Sequence, residues 1–335
     1  MLLFLFYATI TLIILILPFF IELKTVWLSY FFAGLISLFI YKVRKRDYFQ
    51  KRSNKIHLAI AYIIIIFPFI VSILTFIEYG ISNSNILPGL LVMDMSLIFF
   101  QYFIVLPFSL VEPVMDNKLG QYRPIVSVIV PAYNEEKWIK KTLESILEVD
   151  YENKEIVVVD DGSTDSTNFI ASLMEKKHKE IKVFKKKNGG KASAINFGLL
   201  VSSGDIIVIT DADGLISRDS LKEIVGFFTD PTVVGVAGNI RVINKKNILT
   251  NCQAIEYSVG INLHRAATAS FGVVEVLPGP LSAFRRSSID KVGRFDSDTI
   301  VEDADFTKKL LKTGNVLQCT SKAYAYTEAP TRLSD

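Results

Sequence analysis

From Glu155 to Asp165 the chain reads Glu-Ile-Val-Val-Val-Asp-Asp-Gly-Ser-Thr-Asp, a β-branched run that stops at two carboxylates and a turn. Ile156–Val159 show no alternation of apolar and polar residues, so a strand built from them has to be covered on both faces. That requirement points to a parallel strand with helices on either side. Asp160 and Asp161 then stand at its carboxyl end, where open α/β sheets gather loops and helix N-termini into a ligand crevice. Gly162 permits a tight turn, and Ser163, Thr164, Asp165 and Ser166 each suit the start of a helix. A strand, a turn and a capped helix with no ligand would account for the same residues, so the remainder of the chain has to discriminate.

The flanking segments alternate strand and helix patterns. Ile125–Val130 reads as a first strand ending in Pro131-Ala-Tyr-Asn-Glu135, with Asn134 placed to cap a helix whose first turn holds Glu135 and Glu136. Ile139, Leu143, Ile146 and Leu147 give that helix its apolar face. After the central strand, Phe169, Ile170, Leu173 and Met174 mark the buried face of a second helix. A strand at Ile181–Phe184, a helix at Lys191–Leu200 and a strand at Asp205–Thr210 follow. This βαβα order predicts a Rossmann-like, mostly parallel sheet.

A second pair of acids, Asp211-Ala-Asp213-Gly214, closes the strand that ends at Thr210. If the backbone stays extended, the two carboxylates point to the same side. Two hard oxygen ligands side by side suit Mg2+ or Mn2+, which also binds phosphate oxygens. Asp-x-Asp is frequent by chance, and its value here lies in sharing a sheet edge with Asp160 and Asp161. Between the two acidic pairs, Lys185-Lys-Lys-Asn-Gly-Gly-Lys191 places glycines before a helix N-terminus, where a backbone can approach a diphosphate. The spacing is not that of a Walker loop, and no Gly-x-Gly-x-x-Gly follows the first strand, which excludes the common ATP and dinucleotide motifs. Lys185–Lys187 read as a solvated charge run; Lys191 is either a phosphate-side lysine or a surface one. Further on, Leu277-Pro-Gly-Pro-Leu-Ser-Ala-Phe-Arg-Arg286 reads as a rigid loop entering a short strand. Glu302, Asp303 and Asp305 precede the apolar face of a helix through Phe306, Leu310 and Leu311. These acids either favour that helix's positive end or include a general base. His57, His178 and His264 have no recognisable partners.

Half of the 335 residues are hydrophobic although 21% are charged, so the apolar excess must be concentrated somewhere. It lies in the first third. Residues 1–21, 25–41, 57–77 and 86–111 are at or near the roughly 20 residues needed to span a bilayer, which predicts four transmembrane helices. The first lacks the basic start and small-residue cleavage site of a signal peptide. Pro18, Pro68 and Pro107 are compatible with bilayer helices, and Asp94 reads as a polar residue facing another helix. Lys42, Arg44, Lys45, Arg46, Lys51, Arg52 and Lys55 crowd one link, which should be cytoplasmic. The linker at 112–124 and the domain at 125–335 then share the cytoplasmic side, making this a multi-pass protein of the cell membrane. A net charge of +3 at pH 7 without a basic patch argues against nucleic acid as a partner. Cys252 and Cys319 have no metal or disulfide spacing and suit a reducing compartment.

In order along the chain, Pro131-Ala-Tyr-Asn-Glu135, Val159-Asp-Asp-Gly-Ser-Thr-Asp165, Gly190-Lys-Ala-Ser-Ala-Ile-Asn196, Asp211-Ala-Asp213, Gln253-Ala-Ile-Glu-Tyr257, Phe284-Arg-Arg286 and Glu302-Asp303 resemble a family 2 inverting glycosyltransferase. Within that family the likeness is to membrane-bound polysaccharide synthases that make poly-N-acetylglucosamine, hyaluronan, chitin and cellulose. The resemblance covers about Ile125 to Pro330. It implies a GT-A fold, a UDP-sugar donor and transfer to a growing polysaccharide or glycan. Carried over by motif, it implies that Ala132, Tyr133, Glu135, Asp160 and Asp161 line the nucleotide-sugar pocket, with Asp161 holding the base. It places Lys191 near the donor, Asp211 and Asp213 on a Mg2+ or Mn2+ ion at the diphosphate, and Asp303, beside Glu302, as the catalytic base. The processive members carry Gln-x-x-Arg-Trp after the segment matching Thr327-Glu-Ala-Pro330, usually followed by more membrane helices. This sequence reaches Asp335 first, so the domain is expected to be truncated at its C-terminus relative to them. Two other readings stand beside the synthase: transfer of one sugar to a polyprenyl-phosphate or lipid acceptor, and a non-catalytic nucleotide-sugar-binding membrane subunit that partners a complete synthase.

Overall fold

A computed structural model describes residues 122–332 apart from 271, 298 and 300, together with scattered helical residues between 70 and 109. The chain divides into two compact units, Met1–Phe108 and Ser109–Asp335. In the first, described residues such as Ile73, Leu87 and Leu91 are helical and exposed. The four expected spans lie almost entirely outside the described residues. Among the described residues no helix is long and apolar enough to cross a membrane.

The second unit is built on an eight-stranded sheet with strand order β3-β2-β1-β4-β7-β6-β8-β5. Its first half is β1 (Val126–Ala132), β2 (Lys154–Asp160), β3 (Ile181–Lys185) and β4 (Ile206–Ile209), all mutually parallel. The helices between them are α1 (Ile139–Leu147), α2 (Thr167–Glu175) and α3 (Lys191–Val201). Beyond β4, β7 (Ser282–Arg285) runs antiparallel to both β4 and β6 (Val233–Val242), and β8 (Val316–Thr327) is parallel to β6 and antiparallel to the short β5 (Leu215–Ile216). Two strands, β7 and β5, thus run against the other six, so the sheet is mixed but mostly parallel. Helices α4 (Ser220–Val225), α5 (Ile248–Ile255), α6 (His264–Ala269), α7 (Arg286–Val292) and α8 (Glu302–Lys312) complete the unit, with a π-helix at Glu256–Leu263 joining α5 to α6. Cys252 is exposed on α5 and Cys319 buried on β8.

The unalternated strands are covered on both faces, as their composition requires. Val128 and Val130 of β1 and Ile156 and Val158 of β2 pack with Ile139, Leu143 and Ile146 of α1 in one core. Ile129, Val157 and Val159 pack in the other core with Ile195 of α3 and Phe306 and Leu310 of α8. Helix α3 sits so close to β1 that a Cβ at Gly198 would lie 2.5 Å from Ile129. Phe306 stacks on Phe295 at 4.0 Å and meets Phe284 of β7 edge-on at 5.4 Å, which fixes the start of α8 against the sheet. Helix α2 turns differently from the reading by periodicity. Thr167, Ala171 and Met174 are its buried positions, whereas Phe169 is 66% and Leu173 41% exposed.

Candidate active site

The loops leaving β1 and β2 are laced together by hydrogen bonds. Asn134 adopts a left-handed backbone with φ 57°. Its N–H donates to Ser163 Oγ at 2.9 Å, and its Oδ1 accepts from the Thr164 N–H at 2.9 Å. The Glu135 N–H donates to Thr167 Oγ1 at 2.7 Å, and the Glu136 N–H to Asp165 Oδ2 at 3.1 Å. Asn134 was expected to cap α1, but the left-handed turn takes it off the helical path. The helix starts later, at Ile139, without a side-chain cap. Ala132, 2% exposed, ends β1 and accepts from the Asp161 N–H at 2.8 Å, while Tyr133 is 49% exposed beside it.

Asp160 and Asp161 do different work. Asp160 is fully buried, its Oδ1 accepts from the Ser163 N–H at 3.0 Å, and its Oδ2 has no hydrogen-bond partner among the described residues. Lys185 Nζ lies 3.9 Å from that oxygen. Asp161 accepts from the Gly190 N–H at 2.7 Å and the Gly189 N–H at 3.1 Å and is ion-paired with Lys186. It thereby folds the glycine loop against β2 and sets where α3 begins. Lys185–Lys187 are therefore more than the solvated run that the sequence suggests, because two of the three answer the buried carboxylates at the strand end. Charge pairing across 25 residues leaves no local signal.

Helix α3 opens with Lys191, whose ammonium meets Asp211 Oδ1 at 2.5 Å and lies 3.8 Å from Glu302 Oε1. Burial works against the Lys191 charge, but Asp211, Glu302 and Asp303 outweigh it and hold its pKa above the ordinary value. Asp211 and Asp213 lie in a tight turn closed by the Gly214 N–H on the Asp211 carbonyl at 3.3 Å, not on the extended backbone that the Asp-x-Asp reading assumed. Burial, and then Asp211, push Asp213 up. Burial raises Glu135 to about 7, reinforced by Asp213, Asp165 and Asp211. At the start of α8, Asp303 Oδ1 accepts from the Ala304 N–H at 2.7 Å. The fold thus brings Glu135, Lys191, Asp211, Asp213, Glu302 and Asp303 into one charged neighbourhood. Asp161 borders it through the glycine loop, and Asp160 is buried in the strand end.

Two further groups belong to this neighbourhood and escaped the reading by motif. Glu328 follows the last residue of β8 and adds to the negative field on Asp213. Its neighbour Ala329 is pinned by Asn244 through two hydrogen bonds of 2.7 Å. Arg265 of α6 is buried, donates from Nη1 to the Gly238 carbonyl at 3.2 Å, and lies in the field of Asp303. Glu328 was visible in Thr327-Glu-Ala-Pro330, but only as a marker of where the domain closes. Nothing near Arg265 in sequence distinguishes it from a surface arginine.

Residues 127–293 match the model of Glycosyl transferase family 2. This domain belongs to that family. The glycosyltransferase domain is 33% identical over 186 residues to the poly-β-1,6-N-acetyl-D-glucosamine synthase of Staphylococcus aureus and 34% identical over 186 residues to that of Staphylococcus epidermidis. Each alignment covers 55% of this chain and 45% of the relative, so the chain spans less than half the length of the curated relatives it matches. Among solved structures it is similar to a mannosyltransferase from Pyrobaculum calidifontis in complex with GDP-Man and Mn2+. That likeness has a TM-score of 0.61 at 29% identity and covers 70% of this chain and 65% of the other.

The donor set of the glycosyltransferase suits a divalent cation shared with a substrate. Among the described residues no group of three or more His, Cys, Asp or Glu side chains is arranged to hold a metal. Mg2+ and Mn2+ at phosphates need fewer, because one or two carboxylates suffice when phosphate oxygens and water complete the shell. Asp211 and Asp213 meet that description: burial, and then the neighbouring Asp211 carboxylate, disfavour the charge on Asp213, and a cation at this turn would favour it.

Proposed function

We propose that this chain is a membrane-bound inverting glycosyltransferase that moves a sugar from a UDP-sugar onto a growing polysaccharide, with N-acetylglucosamine as the favoured sugar. The observation that carries the reading is the convergence of Lys191 on Asp211 and Glu302, which sets a cation between the Asp-x-Asp turn and the acids of α8. Similarity to the staphylococcal synthases supports the sugar and the polymer. The apolar first third supports membrane association, with the glycosyltransferase domain on the cytoplasmic side.

Asp303 takes the proton from the acceptor hydroxyl as that oxygen attacks the anomeric carbon, since a neutral sugar hydroxyl is a poor nucleophile. The bond from the anomeric carbon to the phosphate oxygen breaks, and the nucleoside diphosphate leaves with the electron pair. Attack from the opposite face inverts the configuration. Mg2+ or Mn2+, when bound, supplies positive charge against the leaving diphosphate. Asp211 and Asp213 would hold that ion, and Lys191 would add a second positive charge to the same group. Glu302 keeps the Lys191 ammonium near Asp303. Asp161 shapes the glycine loop, and Tyr133, Glu135 and Asp160 line or support the nucleotide side.

The test is release of nucleoside diphosphate and product length, measured with the purified chain in detergent, Mn2+ or Mg2+, and a panel of UDP-sugars. Metal-dependent UDP release and a polymeric product are expected. Asp213→Ala should abolish release, and Asp303→Asn should abolish transfer while leaving donor binding. A lipid-linked monosaccharide would replace the polymer reading. Similarity to the mannosyltransferase supports one alternative donor, so GDP-Man belongs in the panel, and release from it alone would replace the UDP-sugar reading.

A further inference from the structure

The loop Leu277-Pro-Gly-Pro280 enters β7 and has no part in the chemistry described above, yet it touches both halves of the site. The Leu277 N–H donates to Thr307 Oγ1 at 2.9 Å, and Thr307 Oγ1 donates to the Asp303 carbonyl at 2.7 Å. At the other end Thr210 Oγ1 donates to the Pro280 carbonyl at 2.8 Å, one residue before Asp211. Thr210 and Thr307 are fully buried and Leu277 is nearly so, so these bonds form away from competing water. The two prolines fix φ on either side of Gly279. In the middle, a Cβ at Gly279 would lie 2.6 Å from Lys191 Nζ and 3.2 Å from both Asp211 carboxylate oxygens.

We propose that Leu277–Pro280 is a strap that sets the spacing between the Lys191–Asp211 pair and the Asp303 turn, with Gly279 as the positioning residue over the donor phosphates. The proposal rests on the reading of this site as a nucleotide-sugar site. Any side chain at Gly279 enters the space that the Lys191 ammonium occupies against Asp211. The ammonium is the free end of a flexible side chain, so the fold accommodates a methyl there by displacing the charge. Gly279 therefore governs where the cation sits more than whether the domain folds. Thr307 acts at the other end, through the backbone of Asp303 rather than on any substrate.

The experiment uses the full chain in detergent with Gly279→Ala, Thr307→Val, Thr307→Ser, Lys191→Ala and the double variant Gly279→Ala/Lys191→Ala. Melting temperatures form a double-mutant cycle. Gly279→Ala is expected to shift the midpoint in the presence of Lys191 and much less in its absence. In UDP release with Mn2+, Gly279→Ala is expected to raise the donor KM about tenfold, with a smaller effect on kcat. Thr307→Val is expected to lower kcat by about 100-fold with donor KM unchanged, and Thr307→Ser to retain most of the wild-type kcat. Additive melting shifts, or Gly279→Ala and Thr307→Val enzymes with wild-type KM and kcat, would overturn the strap. A wild-type chain that releases no nucleotide, yet shows the non-additive melting shifts, would refute the nucleotide-sugar reading and leave the strap standing.

Discussion

Lys191 is ion-paired with Asp211, and Glu302 lies 3.8 Å from the same ammonium. One cation on the first turn of α3 therefore answers acids delivered by two segments more than 90 residues apart in the chain. Lys191→Met is expected to lower kcat/KM for the donor by about 100-fold, measured as UDP release. Lys191→Arg is not expected to restore it, because a planar guanidinium does not reproduce the compact point charge that meets Asp211 and Glu302.

Glu135 gives the fold a pH dependence of defined sign. Its carboxyl is raised from 4.5 to about 7, with burial as the first cause and Asp213, Asp165 and Asp211 behind it. Between those two values the folded chain holds a proton that the unfolded chain has released. Stability from this group is therefore present at the acidic end of the window and lost as pH rises through about 7. Melting temperatures measured from about pH 5 to about pH 8 are expected to fall less steeply in Glu135→Gln than in the wild type.

Glu155 works in the opposite direction. Burial disfavours its charge, but bonds from the Ser203 N–H and the hydroxyls of Ser127 and Ser203, with Lys182, pull it down to about 2. The stability it contributes is fully present above 4.5 and is lost as pH falls toward about 2. It joins β1, β3 and the chain leaving α3 at the end of the sheet remote from the acids. Glu155→Ala is expected to cost about 3 kcal/mol in denaturant unfolding near neutral pH, with donor KM unchanged. A raised KM would tie this end of the sheet to the site.

Asp161→Ala tests whether the glycine loop is held by the strand end. The N–H groups of Gly189 and Gly190 lose their acceptor, and Lys186 loses its carboxylate partner. Hydrogen exchange at Gly189 and Gly190 is expected to accelerate by at least about tenfold, and donor affinity to fall because α3 no longer starts from a fixed point. Unchanged exchange would show that the loop is held by other contacts.

The local part of this architecture was legible in the sequence. Ile156–Val159 announced a strand buried on both faces, and each of β1–β4 with α1–α3 follows from periodicity and breakers. What was misread has specific causes. Asn134 looked like a cap, but a residue 30 positions away satisfied its side chain first. Phe169 and Leu173 looked like core, but α2 buries Thr167, Ala171 and Met174 and turns those two outward. The mixed half of the sheet was unread because β6 and β8 pair in parallel across more than 70 residues and β7 enters between β4 and β6, relations with no period to detect.

By itself the sequence determined which residues carry charge and at which strand ends they emerge, because alternation, turn residues and helix starts are properties of neighbours along the chain. Only the tertiary structure decided which charges meet. It assigned Lys186 to Asp161, Lys191 to Asp211 and Glu302, and Glu328 to the field around Asp213. It also placed Gly279 where a side chain would displace the Lys191 ammonium from that pair. The reason is physical: Coulomb attraction and steric exclusion depend on distance in space, and sheet order, not chain order, sets that distance.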